Sequence, residues 1–467
     1  MSAGGSGTGW VRAPAVAGLF YPDDPGELRD AVARHVAAAP PPATEAAPKA
    51  VIAPHAGYRY SGPVAGAAYR ALAAARDQVS RVVVAGPAHR VPVGAPGIGV
   101  TTAAAWSTPL GEVPVDVDAC RALVAAGTAV EADSAQAPEH SLEVHLPFVQ
   151  ETLGEVAIVP LIVGRCPARA LAAVLEAVWG GDETLVVVSS DLSHYLTDDA
   201  ARRRDRRTRH AIIEGRTGDI GPYDACGCVP IAGLIVAARG HGIAPRTLAM
   251  GTSADGARDT SRVVGYGSFG FTEARPLLAA ERRWLLRRAR AAIAAELGSG
   301  DPDPLDDEDV PERLRLPGAS FVTLERHGEL AGCIGSLDPR RPLWRDVARN
   351  ARAAAFTDPR FAPLARGELD ATDITVSVLS ALDPLPAGHD ELVEALRPGV
   401  DGVLLESGGH RGTFLPAVWA KLPEPGAFVD HLVGKAGLAE GTWPADAKAW
   451  RYTTDEFADS ATALAQA

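Results

Sequence analysis

Cysteine is scarce in this chain of 467 residues: there are five, an odd number spread from Cys120 to Cys333. Such a set cannot form the disulfide framework of a small secreted domain, so a reducing compartment is expected. Long apolar runs are missing too. No uninterrupted stretch reaches the roughly 20 residues that a membrane-spanning helix needs, which excludes that class. Basic residues are outnumbered, 45 Lys and Arg against 58 Asp and Glu, and the net charge of −13 argues against a nucleic-acid partner and for solubility. The first residues, MSAGGSGTGWVR, lack the basic start and apolar core of a secretory signal. The expected protein is cytoplasmic, with no membrane and no nucleic acid among its partners.

A hydrophobic content of 47% beside 22% charged residues fits a soluble globular protein, and the length suggests two or three domains. Residues 1–10, Gly- and Ser-rich, are expected to be disordered. From Ala13 to about Phe271, Val-rich runs alternate with Ala-rich helical stretches such as 63–76 and 167–179, the pattern of an α/β domain with a mostly parallel sheet. A helix is expected over 276–297, then an acidic stretch, GSGDPDPLDDEDVPE at 298–312, that composition alone marks as a linker. The remainder mixes strands (319–325, 373–382, 402–407) with helices (342–355, 426–437) without strict alternation, and reads as α+β. No internal repeat is present.

Two histidines stand just past β-branched runs: AVIAP leads into His55, and VVVAGPA into His89. A third run, LVVVSS, ends in Asp191 and His194. Ligands in open α/β sheets sit beyond the carboxyl ends of the strands. Imidazoles and a carboxylate delivered there suit iron, zinc or copper, and leave coordination positions open for dioxygen or substrate. A further histidine near the metal could carry protons. Asp191 and His194 have a second reading, as a cap starting the next helix. His140 and His145, in EHSLEVHLPF, are five apart and so not stacked on one helix face. Cys226, in ACGCVPIAGL, is either a thiolate ligand or a small buried apolar residue.

The strings APHAGYRYSG, GPAHR, EHSLEVHLPF, SSDLSHY and ACGCVPIAGL, in this order over residues 11–272, resemble the Memo family, the B component of the AmmeMemoRadiSam system. That family is similar in fold to the LigB-like extradiol dioxygenases, which cleave catechol rings with non-haem iron held by two histidines and a glutamate. The resemblance implies that His55 and His89 are the two histidine ligands and His194, assisted by Asp191, the catalytic acid/base. Cys226 falls where the dioxygenases have their glutamate; the resemblance implies it as the third metal ligand, and ring cleavage is not inherited. Fe(II) is the expected divalent metal, with copper or zinc as alternatives. Phe20, Tyr21 and Tyr60 would line a substrate pocket, with His140 and His145 as further substrate-binding candidates.

In the second half, LAGCIGS at 330–336, HRGTFLPAVW at 410–419 and FVDHLVGKAGL at 428–438 resemble the AMMECR-type domain, the A component of the same system. The resemblance moves the boundary to about residue 274, giving a Memo-like domain over 11–273 and an AMMECR-type domain over 274–467. Glycines around Cys333 would permit a sharply turned, partly exposed thiol. His431 and Lys435, four apart, would share a helix face and could supply a base, although nothing in the spacing links them to Cys333. The system's third member resembles a radical-SAM enzyme. This chain lacks the CxxxCxxC cluster such an enzyme needs, so that enzyme would be a separate partner. The expected function is a metal-dependent, oxygenase-like redox enzyme for an unknown small-molecule substrate. The alternatives are a non-catalytic metal- or peptide-binding module and a zinc-dependent hydrolase.

Overall fold

The computed structural model describes residues 9–41, 46–257, 259–273, 276–298, 309–438, 443–444 and 446–459. Residues 1–8 of the N-terminal stretch expected to be disordered, and 299–308 of the acidic stretch, lie outside the described residues. Internal contacts divide the chain into two units, Met1–Arg275 and Pro276–Ala467. No helix among the described residues is long and apolar enough to cross a membrane.

The first unit is organised by a nine-stranded sheet. At its centre run four parallel strands, β1 (Ala50–Ala53), β2 (Arg81–Pro87), β3 (Ala157–Val163) and β4 (Thr184–Ser189), in the order β1-β4-β2-β3. Every residue of β1 and β4 is buried, as are all but the first of β2 and β3. Burial on both faces is why these strands read as continuous Val-rich runs rather than alternating ones. Helices such as Tyr58–Leu72 and Ala168–Ala177 provide the long crossovers that parallel neighbours require.

The expectation of a mostly parallel sheet needs correction, because antiparallel pairings flank the parallel centre and the sheet is mixed. Val263–Glu273 runs antiparallel to β1, to Ile243–Thr252 and to His194–Leu196, and Ile98–Val100 runs antiparallel to β3. For one of these pairs the reason is connection length. Only residues 253–262 separate Ile243–Thr252 from Val263–Glu273, too few for a crossover, so the chain turns back on itself.

The second unit holds two four-stranded sheets, antiparallel throughout. One has the order Glu329–Gly335, Ser320–Arg326, Thr372–Leu379, Thr454–Asp459; helices Ala279–Glu296 and Leu343–Phe356 cover it through Leu285, Ile293, Val347 and Ala351. The other has the order Asp383–Pro384, Lys448–Tyr452, Gly402–Ser407, His410–Phe414. Its core centres on Phe428 stacked on Trp419, ring centroids 3.9 Å apart. One local expectation fails here. Cys333 lies within the strand Glu329–Gly335, not in a sharp turn. Its glycine neighbour serves packing instead: a Cβ at Gly332 would run into the Ala354 carbonyl oxygen of the covering helix.

Candidate metal centre

His55, His89 and Asp191 each stand two residues past the end of a parallel strand, β1, β2 and β4 respectively. Those strands are immediate neighbours, so one edge of the sheet receives all three side chains. Their backbones are tied across strands. The His55 amide donates to Asp191 Oδ1 at 2.8 Å, and the His89 amide to Glu139 Oε2 at 2.7 Å. Cys226 joins from a distant loop, its amide donating to the Asp191 carbonyl at 3.2 Å. That approach depends on Gly227, because a Cβ there would collide with the Ser189 carbonyl and the Ser190 side chain.

The imidazoles are held in one tautomer by these surroundings. Ser189 Oγ commits its hydrogen to the Ser141 carbonyl at 2.6 Å, so it can only accept from His55 Nδ1, 2.6 Å away. His89 Nδ1 faces Glu139 Oε1 at 3.1 Å and donates to it. In both rings the Nε2 lone pair is left for a metal, the arrangement that outer-shell partners impose on ligating histidines. Burial, reinforced by the neighbouring His89 and His140 rings, drives the His55 pKa well below the usual value and keeps that lone pair free.

His140 completes the cluster. Its ring centroid lies 5.5 Å from that of His55 and 5.1 Å from that of His89, and one nitrogen from each of the three falls within 4.8 Å of the others. Three imidazoles at such spacing can hold a divalent metal. Cys226 Sγ is 3.4 Å from His55 Nε2, so the thiol borders the same centre. Burial, with the Asp191 carboxylate nearby, pushes the thiol pKa up; a bound cation would be needed to offset this.

Glu139, the first residue of EHSLEVHLPF, is a functional candidate that is not among those named from the sequence. Its fully buried carboxylate accepts from the His89 amide and ring and from the amides of His140 and Ser141 at 2.9 and 3.0 Å. Burial alone would raise its pKa, but the His140 and His89 rings and these amides hold it well below the usual carboxylate range. His140 Nδ1 is 3.0 Å from Glu139 Oε1 but makes no hydrogen bond. One anion thus orients two candidate ligands. Glu139→Gln, which places an amide N–H against these donors, should weaken metal binding about 10–100-fold in a competition with a chromophoric chelator while leaving the folded state intact.

The other candidates separate. Phe20 packs against the His140 ring at 4.8 Å and borders the centre. Tyr60 is 39% exposed, beside the Arg59 guanidinium. Tyr21 is buried and its hydroxyl donates to Glu143 Oε1 at 2.7 Å, away from the imidazole cluster. His145 also lies outside the cluster: buried, it shares a hydrogen bond of 2.9 Å between Nδ1 and the Tyr69 hydroxyl, and burial lowers its pKa to about 3, so it is a neutral core residue. Asp191 and His194 are not a helix cap, since Thr197 holds that place before Asp198–Ile213. In the second unit, Cys333 and Lys435 line one cavity. His431 is exposed, bonds its own helix at the Ala427 carbonyl and does not line that cavity.

Residues 12–270 match the family described as Memo-like protein, and residues 286–457 match AMMECR1. The MEMO1 family protein MK0963 of Methanopyrus kandleri is 37% identical over 281 residues, 56% of this chain and 98% of its own length. The MEMO1 family protein MTH_45 of Methanothermobacter thermautotrophicus is 36% identical over 275 residues, 55% of this chain and 98% of its own. Among solved structures, the uncharacterized protein PH0010 from Pyrococcus horikoshii aligns over 39% of this chain and 93% of its own at 30% identity, with a TM-score of 0.37. With the Memo-like match spanning more than half of the residues and relatives aligned almost end to end, the chain belongs to the Memo family and carries an AMMECR1 domain behind its Memo-like one.

Proposed function

We propose that His55 and His89, with Cys226 or His140 as a third donor, hold a mononuclear divalent metal, Fe(II) by preference, in an oxygenase-like redox centre acting on a small substrate. The observation that carries this reading is the pair of imidazoles whose Nδ1 positions are committed to Ser189 and Glu139, leaving two Nε2 lone pairs converging on a third donor. When bound, iron in such a set supplies open positions for dioxygen or substrate. His194 serves as the acid/base, and Asp191, which fixes the His55 backbone, acts as its partner. Phe20 supplies an apolar wall beside His140. In this reading the chain works in a cytoplasmic AmmeMemoRadiSam system, with a separate radical-SAM enzyme as partner and the AMMECR1 domain binding substrate or that partner.

A second reading draws on one distance. Cys226 Sγ lies 3.4 Å from His55 Nε2, so three imidazoles and a thiol are within reach of one ion. Four protein donors would make a closed tetrahedral site, which favours structural zinc. Anaerobic metal analysis with spectroscopy of the Fe(II)–NO adduct separates the two. Near-stoichiometric iron that takes up NO is the expected result. Zinc in its place, iron closed to NO, or no metal would overturn the redox proposal.

A further inference from the structure

The second unit contains a cavity of about 850 Å³, bordered by the strand Glu329–Gly335, the loop 336–341, the strand His410–Phe414 and the end of the helix Pro425–Lys435. Its lining carries five arginines and two lysines against one acid, Asp338. That excess stands in a chain whose acids outnumber its bases, 58 to 45.

Four of the arginines are oriented by carboxylates. Arg340 and Arg411 meet Asp338 at 3.0 and 2.9 Å, Arg341 meets Asp346 at 2.9 Å, and Arg360 meets Asp358 at 2.8 Å. Asp346 and Asp358 are buried and not part of the lining. They hold the two guanidinium groups in place and leave on each at least two N–H donors for another acceptor. Arg349, Lys421 and Lys435 form no ion pair among the described residues. Partial desolvation lowers the Lys435 pKa, and nearby Arg360 lowers it further, while Cys333 acts the other way. The lining also has an apolar side, formed by Phe321, Ile334, Leu337, Leu415 and Val418.

The geometry points to a binding site for a small phosphorylated organic molecule, with its phosphate groups on the arginines and lysines and its body on the Phe321 and Leu415 side. A single carboxylate offers one charge and two acceptors, too little for three unpaired cations and four oriented guanidinium groups. A diphosphate offers several of each. The volume suits a nucleotide-sized ligand. This site is independent of the metal centre and of any function proposed for it.

The test titrates ADP, pyrophosphate and adenosine into the full chain by calorimetry. A parallel series in His55→Ala excludes phosphate binding at the imidazole cluster. Pyrophosphate and ADP should bind and adenosine should not. Arg349→Gln and Lys435→Gln, both exposed positions, should each weaken ADP about tenfold without moving the melting temperature. Bound ADP should also slow alkylation of Cys333, which lies in the same lining. Three results would overturn the proposal: neither phosphate compound binds, binding ignores both substitutions, or a single-stranded RNA oligonucleotide binds more tightly than ADP.

Discussion

Glu143→Ala should lower the unfolding free energy of the Memo-like domain by about 3–5 kcal/mol, the cost of removing one partner from a buried ion pair. The Glu143 carboxylate is fully buried and accepts four hydrogen bonds: from Arg12 Nη1 at 2.8 Å, the Ala15 and Val16 amides at 2.7 and 2.9 Å, and the Tyr21 hydroxyl at 2.7 Å. Arg12 is 1% exposed, lies over the Trp106 ring and donates to the carbonyls of Gln136, Ala137 and Glu139. Removing the carboxylate strands this guanidinium without a counter-charge. It also frees the segment that carries Phe20 toward His140. Glu143→Gln keeps one oxygen, enough for Arg12 and the Ala15 amide, and should lose less. Urea unfolding checks this; a loss below about 1 kcal/mol for the alanine variant would show that Arg12 finds other compensation.

The second large effect concerns metal retention. Purified anaerobically, His55→Ala should lose its metal by more than the ~10–100-fold that an outer-shell change costs, because it deletes a donor rather than an orienting partner. His89→Ala should behave alike. The third donor is then identified by difference. Loss of metal in Cys226→Ser but not in His140→Ala would assign the thiol, the reverse would assign the imidazole, and loss in both would indicate four protein ligands. Metal content unchanged in His55→Ala would sink the centre as described.

Several of these residues are legible in the amino-acid sequence alone. His55, His89 and Asp191 follow Val-rich runs, and a run buried on both faces predicts both a parallel strand and the edge at which its last side chains emerge. Strand direction at the flanks is not legible, since apolar alternation in Val263–Glu273 is the same for either orientation of a neighbour. His140 and His145 look alike in sequence because their difference is tertiary: one ring meets Glu139 and two other imidazoles, the other meets Tyr69. Glu139 and Glu143 sit in view within the motif EHSLEVH; two acids in a segment this apolar are the signal that both carboxylates are buried. The separation of Cys333 from His431 has no sequence signature, because one lies on a strand of the first sheet and the other on a helix beside the second.

The amide tethers at the sheet edge have a consequence for loading. His55 is fastened by Asp191, His89 by Glu139, and Cys226 by the Asp191 carbonyl, none of which involves an ion. A zinc finger collects its ligands only as the metal arrives, so stripping the ion unfolds it. Here the candidate donors are held by hydrogen bonds within the protein, so the fold should not depend on the ion. A chelator should therefore strip a bound metal from this protein without melting it.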